Sequence, residues 1–394
     1  MPATIVNDRL VRGSDFSVGI ADQTTYGTPN ASPTFTPVRR STGKPKTTIG
    51  YTQDDSVTTD NQGVQNIQDS TEYGMELSAS FSKQSVNWLQ KAIHGTEAAL
   101  TDTDTVYAAD ATGFDLDATV YAALGVSDAF WISGFADSTI DGFYIIASKD
   151  GANHVTTTVA PAATEAAGAS VTLVSNKTEN GLDSNYVMLQ QRVTDTGAAG
   201  NINYTTYYDA IIDTLSVEIG ETGIVSGSAN FVAEKKISGE AAVSGQTYAA
   251  PLTDRSVSAV QDVTGWYVDG VSATCDQKSI SIEVANGYQG DDAAACSRQY
   301  ARNQFAVTGS ASFRARISDP LEWENYYVNA TRKSLGVLIT HPNSTDQTFI
   351  LMPQCAITEH SQADGNNDIA NHEVGFGAEG SATTGNTVMV FKNW

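Results

Sequence analysis

LSVEIG (215–220) followed by VSGSANF (225–231) has a close counterpart in ISIEVANG (280–287) followed by VTGSASF (307–313). In each stretch apolar and polar residues alternate, which is the pattern of a strand with one face in a core. Each stretch therefore predicts two strands and a connection between them. A third segment, SASF at 78–81, repeats the end of the pattern. Repeated strand pairs favour a chain that builds a surface or a closed assembly over one that builds a single active site.

The chain is long enough for two or three domains and is strongly acidic. It has 394 residues, of which 40% are hydrophobic, and 22 Lys and Arg against 45 Asp and Glu give a formal charge of −23. A protein that grips nucleic acid needs clustered cations to neutralise phosphates, so this class is excluded. A like-charged wall that repels nucleic acid is compatible with the same composition.

The sequence shows no motif for catalysis or cofactor binding. Cys275, Cys296 and Cys355 are an odd number without framework spacing, which indicates reduced thiols. The five histidines lack metal-ligand spacing, and there is no nucleophile elbow, phosphate loop or dinucleotide fingerprint. A carboxylate pair assembled in three dimensions, as in a glycosidase, stays open as an alternative. We expect no enzyme activity, no metal and no cofactor.

The beginning of the chain carries no targeting signal that we can identify. MPATIVNDRLVRGSDF (1–16) lacks the apolar core of a signal peptide. No apolar run approaches the ~20 residues that a membrane-spanning helix needs. We therefore expect a protein that folds and works in solution, or that is released by lysis.

We predict two related β-domains, an insert and a linker. The first domain comprises residues 1–100 together with 183–240, and the second comprises residues 259–394. Residues 101–182 hold eleven acidic and two basic residues and contain several strand and turn signals, which predicts a small inserted β-domain that faces outward. Residues 241–258 are small, polar and rich in breakers, which predicts the linker.

Two segments predict helices and one predicts a long connection. SVNWLQKAIHG (85–95) has Val86, Leu89 and Ile93 at helical spacing with Trp88 beside them, so these four residues are expected to pack the helix on the sheet. DPLEWENYYVNATRKS (319–334) predicts a second helix, with Asp319 as N-cap and Pro320 in its first turn. Residues 47–69 are polar and predict an extended loop or a mobile hairpin.

Three longer stretches, taken in order, resemble one family. They are GFADSTIDGFYIIASKDGANHVTTTVAPAATEAAGASVTL (134–173), then ISIEVANGYQG with FAVTGSASFRARISDPLEWENYYVNAT (280–331), then FILMPQCAITEHSQADGNNDIANHEVGFGA (349–378). Together they are similar to the tail tube proteins of tailed phages, and the chain looks like the long-tailed type with two fused tube domains. No single motif is diagnostic, so the resemblance rests on the order of the segments over most of residues 16–394.

The resemblance implies a mainly β fold. It would consist of two tail-tube β-sandwich or barrel-like domains, each with a short helix, plus the small inserted β-domain. Hairpins of such domains join neighbours into rings, and the rings stack into a tube that conducts DNA. Because each chain would supply two domains, three chains would complete a ring with pseudo-sixfold symmetry.

The resemblance also implies a location and partners. The protein would belong to the virion tail and would be made and assembled in the cytoplasm of the host bacterium. Its partners would be further copies of itself, the tape measure protein, the tail terminator and the distal tail protein. Phage DNA would pass through the lumen without specific binding, and no membrane insertion is expected.

Candidate residues for these roles come from the strands and the long connection. Acids on the repeated hairpins are candidates for a DNA-repelling lumen: Glu218, Glu221, Glu283, Asp291 and Asp292. The alternative for each is an ordinary solvated strand face. The polar connection is the candidate for contact between rings, through Asp54, Asp55, Asp60, Gln65 and Asp69.

The competing interpretation is a β-rich secreted adhesin or polysaccharide-binding module. Such a protein would be monomeric, and the insert would carry its ligand site. The missing signal peptide and the odd cysteine count disfavour it. An acidic β-rich hydrolase is a third interpretation, and no motif supports it.

Overall fold

The structure is a computed structural model, and it describes most of the chain. The described residues are 16–54, 65–182, 185–194, 202–239, 243–250, 253, 255–273, 276–291, 299–318, 321–363 and 370–394. Long antiparallel strands dominate them, with three short helices. The prediction of a mainly β chain with short helices is therefore confirmed.

The first part of the chain contains the elements of one long sheet and then an insert. Before the insert lie β1 (Phe16–Asp22), β2 (Thr34–Pro37), β3 (Arg40–Asp54), β4 (Gln65–Ser80), α1 (Lys83–Ala92) and β5 (Glu97–Ala98). The insert comprises β6 (Thr101–Asp104), β7 (Ala108–Ala109), β8 (Gly113–Asp115), α2 (Ala118–Ala123), β9 (Ala129–Ser133), β10 (Gly142–Lys149), β11 (His154–Thr157) and β12 (Val171–Val174).

The remaining elements return to the long sheet. They begin with β13 (Asn176–Glu179), β14 (Val187–Thr194), β15 (Ile202–Ile219), β16 (Ser226–Gly239), β17 (Thr247–Tyr248), β18 (Val263–Val268), β19 (Val271–Ser272), β20 (Gln277–Ala285), β21 (Tyr288–Asp291), β22 (Gln299–Arg302) and β23 (Ala306–Arg314). They end with α3 (Glu322–Val328), β24 (Arg332–Thr340), β25 (Gln347–Ala363), β26 (Asn371–Ala378) and β27 (Met389–Lys392).

Eight antiparallel strands form the centre of the molecule. Their order across the sheet is β3-β4-β16-β15-β20-β23-β26-β25. The pairing of β15 with β20 joins strands from before and after residues 241–258 into one sheet. Within the predicted linker, β17 adds a short parallel pairing with β2.

The two faces of this sheet differ sharply in polarity. One face carries the apolar positions of the alternating strands, including Leu77, Val217, Ile282 and Phe376, each 3% exposed or less, and packs into the main core. The other face, here called the polar face, carries the alternate positions. Its members include Thr42, Lys44, Lys46, Glu76, Ser78, Ser80, Thr214, Ser216, Glu218, Ser226, Ser228, Asn230, Ser279, Ser281, Glu283, Thr308, Ser310, Ser312, Arg314, Glu359, Ser361 and Glu373.

Helix α1 lies across the core face and is almost fully covered. It begins after Ser82, whose hydroxyl forms a capping box with Ser85. The four residues expected to pack the helix are all buried: Val86 and Ile93 at 0% exposure, Leu89 at 1% and Trp88 at 5%. The helix contacts β15, and Trp88 meets Phe231 of β16 edge to face.

A clasp from the second half of the chain closes over the end of α1. Asn286, fully buried after β20, donates from Nδ2 to the carbonyl oxygens of Ala92 and Ile212, both at 2.9 Å. Two residues on, the Tyr288 hydroxyl hydrogen-bonds His94 Nε2 at 2.9 Å. Burial raises the pKa of the Tyr288 hydroxyl to about 12.

The insert folds around a core of its own. Its seven strands form a separate sheet, and aromatic residues such as Phe114, Phe130 and Tyr144 fill that core. Trp131 and Ile145 lie on the other side and pack on Phe349 and Phe391 of the main sheet. The insert therefore contacts β25 and β27 through a second, smaller apolar cluster.

One local prediction needs correction, and another is decided between its two alternatives. The second helix is shorter than predicted, because Ala330 adopts a positive φ of 51° after it and β24 begins at Arg332. Asp319 and Pro320 lie outside the described residues. Of the two alternatives predicted for residues 47–69, the hairpin is the one found as far as the segment is described, because β3 and β4 pair through it from Arg40–Ala79 to Asp54–Gln65, with register shifts after Arg40 and after Gly50.

The clasp gives a stability prediction. Replacing Asn286 with Ala leaves the carbonyls of Ala92 and Ile212 buried without their donor, which costs about 2 kcal/mol of unfolding free energy. Calorimetry should show a lower transition temperature for the main sheet. Gln289→Ala, an exposed change in the neighbouring strand β21, is the control and should leave the transition unchanged. An Asn286→Ala protein with the same transition as Gln289→Ala would contradict the clasp.

The two faces of β20 give a second prediction. Ile282→Asn places an amide in the core and should cost about 3–5 kcal/mol, whereas Glu283→Gln on the exposed polar face should change stability by less than about 0.5 kcal/mol. Urea unfolding followed by tryptophan fluorescence measures both. Equal effects of the two neighbours would show that the strand is not placed with these faces.

Candidate assembly surface

Serine hydroxyls cover the middle of the polar face. Ser216 and Ser228 share a hydrogen bond across β15 and β16 at 2.8 Å, and Ser281 and Ser310 share one across β20 and β23 at 3.0 Å. Because these side chains are short and hydrogen-bond to each other, they project little from the sheet. Such a surface offers few protruding groups to hold a passing polymer.

Five glutamates share this polar face and are exposed. Two of them, Glu218 and Glu283, were predicted from the sequence. The pairing of β15 with β20 places both on the polar face, with Glu218 opposite Ser281 and Glu283 opposite Ser216. Sequence reasoning missed Glu76, Glu359 and Glu373. The alternation of YGMELSASFS (73–82) could have indicated Glu76. Arg314 of β23 and Lys44 and Lys46 of β3 are exposed cations on the same face, so carboxylates outnumber cations on the described polar face.

The other predicted lumen acids lie elsewhere. Glu221 follows β15 in a turn and forms an ion pair with Lys278 at 3.2 Å. Asp291 is exposed at the end of β21, in the two-stranded β21–β22 ribbon beyond the polar face. Asp292 lies outside the described residues. The structure thus brings together only Glu218 and Glu283 from the predicted set.

Three of the five residues expected to contact the next ring lie on the described part of the β3–β4 hairpin. Asp54 and Gln65 are paired at its far end, and Asp69 lies in β4. Asp55 and Asp60 lie outside the described residues. In the described sheet β3 pairs with β4 alone, so this hairpin forms one lateral edge.

The two matching sequence stretches form hairpins with the same register. Ser216 opposes Ser228 in one and Ser281 opposes Ser310 in the other. The hairpins contact each other through β15 and β20, which are antiparallel, with Val217 opposite Ile282. They are therefore related by a local twofold axis. Rotation about the axis of a tube preserves strand direction, so this match does not relate two domains of a ring.

A different repeat in the sheet does preserve strand direction. The order β3-β4-β16-β15 is followed by β20-β23-β26-β25, and each strand of the first set runs in the same direction as its counterpart in the second. In each set the second strand carries SASF (78–81 or 310–313) and precedes a helix. Helix α1 contacts β15, and α3 contacts its counterpart β25.

Reactive groups are few in the described part of the chain. Burial raises the pKa of the Cys355 thiol, which disfavours the thiolate, and the other two cysteines lie outside the described residues. His360 Nε2 and His372 Nδ1 lie 3.0 Å apart, a pairing that sequence spacing did not indicate. Among the described residues no group of three or more His, Cys, Asp or Glu could hold a metal ion.

Comparison with known proteins identifies the family. Within the described residues, no helix is long and apolar enough to cross a membrane. A search of curated protein sequences gives no significant match. The model of the family described as phage tail tube protein matches residues 13–378, nearly the whole chain. The chain therefore belongs to the phage tail tube protein family, whose members are structural components of the virion tail.

Proposed function

We propose that three copies of this chain close into a ring, and that stacked rings form a channel for phage DNA lined by the polar face. The observation that carries this proposal is the repeated strand order β3-β4-β16-β15 and β20-β23-β26-β25 in one continuous sheet. Each set of four would act as one tube domain. The division of the chain into two tube domains and an insert is part of the same proposal.

The size of such a ring suits duplex DNA. Three chains with eight strands each give 24 strands, which at ~4.8 Å per strand make a circumference of ~115 Å and a diameter of ~37 Å, larger if the strands tilt. Side chains that point into the lumen reduce this diameter, and the short serine side chains reduce it least. Closure would also remove the lateral strand edges, which otherwise promote aggregation.

The charge of the polar face supports passive conduction. The five exposed glutamates outnumber Lys44, Lys46 and Arg314 on this face and would repel DNA phosphates, and the serines add no positive charge to hold them. The insert packs through Trp131 and Ile145 on Phe349 and Phe391, which alternate along β25 and β27 with the main-core residues Ile350 and Val390 and so lie on the side of these strands turned away from the core. This part of β25 pairs with β24 and β27, outside the eight-strand sheet that carries the polar face. The insert would therefore project outward, away from the lumen.

The remaining partners belong to the proposal through the family alone. These partners are the tape measure protein, the tail terminator and the distal tail protein. The mechanism needs no catalytic group. The alternative, a monomeric adhesin or polysaccharide-binding module, needs no lateral strand edge and no acidic polar face.

Electron microscopy of the purified protein tests the assembly. At high concentration we expect hollow tubes or stacked rings, with an opening wide enough for duplex DNA, because the lateral edges are available for pairing. A species that stays monomeric at every concentration and ionic strength would reject the tube and favour the binding module.

Charge reversal tests the role of the polar face. Phage particles that carry Glu218→Lys and Glu283→Lys should assemble normally but eject DNA more slowly, because the lumen then attracts phosphates. Ejection is measured as DNA release after receptor triggering, at two salt concentrations, and added salt should reduce the delay. The matched control reverses two exposed acids of the insert, Asp137→Lys and Asp150→Lys. Unchanged ejection from the first variant would reject the lumen assignment.

A further inference from the structure

The two helices that follow the SASF strands differ in how far they are covered. Helix α1 has six buried residues, and the clasp of Asn286 and Tyr288 closes over its end. Helix α3 buries Trp323, whereas Tyr327 is 45% and Val328 is 70% exposed. Residues that follow the first strand of the second set thus cover α1, the helix of the first set. Helix α3, which belongs to the second set, is left partly uncovered.

The strands beside α3 are open in the same way. Strand β25 pairs with β24 only as far as Ala356–Arg332, so residues 357–362 have no described strand on that side. Their counterpart in the first set is the part of β15 that pairs with β20 from Thr214 to Ile219. At the opposite end of the sheet, β3 is the counterpart of β20, and its outer side also has no described partner.

We propose that β3 of a second copy of this chain pairs antiparallel with residues 357–362 of β25, and repeats the β15–β20 junction between chains. The β3–β4 hairpin of that copy would then cover α3, as the clasp covers α1. This inference rests on the proposed function, since it names the contact by which copies join into a ring. The sheet would continue from chain to chain without an edge.

The register of this junction follows from the ladders. In the first set Ser78 lies opposite Ser228, which lies opposite Ser216. In the second set Ser310 lies opposite Gly375, which lies opposite Glu359, so Glu359 is the counterpart of Ser216. On the other side Ser78 lies opposite Thr42, and Ser310 lies opposite Ser281, so Thr42 is the counterpart of Ser281. Two residues further along each strand, Lys44 is therefore the counterpart of Glu283. Ser216 lies opposite Glu283 within the chain. Between chains, Glu359 therefore lies opposite Lys44.

Charge and exposure both fit this register. The junction places an exposed carboxylate of one copy opposite an exposed ammonium of the other, a pair that stabilises antiparallel strands. Ile49 of β3 is 41% exposed in the single chain and is the counterpart of Tyr288 in the clasp. It would meet the exposed Tyr327 and Val328 side of α3.

A charge exchange tests the register. Lys44→Glu and Glu359→Lys each place like charges opposite each other at every junction, so each should raise the critical concentration for tube formation by about tenfold or more. The double variant Lys44→Glu with Glu359→Lys should restore assembly to within about twofold. The register control combines Lys46→Glu with Glu359→Lys and should stay defective. Assembly is measured by sedimentation and electron microscopy, and calorimetry of the unassembled chains confirms that each variant folds.

A disulfide tests the same contact directly. Thr42→Cys with Ser361→Cys places two thiols opposite each other across the junction, within bridging distance, and should give covalent trimers and dimers when tubes are oxidised. Thr42→Cys with Gln362→Cys points the second thiol to the other face and should not cross-link.

The possible outcomes separate the junction from the function. Tubes that form normally with either single charge variant, or that fail to cross-link through residues 42 and 361, would overturn the junction and leave the tube itself standing. A wild-type chain that forms no tubes would reject the proposed function and the junction together.

Discussion

The pairing of β15 with β20 is the contact on which the rest of the structure depends. It joins the two strand sets into one sheet, with Val217 opposite Ile282 in the core and Glu218 and Glu283 on the other side. It also positions Asn286 and Tyr288 to close the end of α1. Backbone hydrogen bonds give such a junction its strength, and the buried side gives it its register, since a slip of one residue would turn apolar side chains to solvent.

The same alternation separates stability from function on each strand. Core positions hold the sheet together, while the alternate positions are free to carry Ser and Glu without cost to the fold. A tail tube needs strong contacts between its subunits and only weak contacts with the DNA that it conducts. In the proposed tube, the polar face would meet the second requirement through small side chains and a surplus of carboxylates, and pairing of the strand edges would meet the first.

Part of this arrangement could be predicted from the sequence. Strong alternation in LSVEIG and ISIEVANG predicted the strands, the residues on each of their faces and two of the five glutamates of the polar face. The counterpart of β20 could not be recognised, because β3 reads RSTGKPKTTIGYTQD and is polar on both faces, so its periodicity is weak. Glu359 was missed because a bulge between Ile357 and Glu359 shifts the alternation of β25. The closest sequence match instead relates two hairpins by a local twofold axis, a relation visible only in the pairing.

The central claim is that one sheet continues through the chain and from chain to chain. A cryo-electron microscopy reconstruction of assembled tubes measures this most directly. The account predicts three chains per ring, 24 lumen strands at ~4.8 Å spacing, and β3 of each chain beside β25 of the next. Rings of six chains, or a break in the sheet between neighbouring chains, would contradict it.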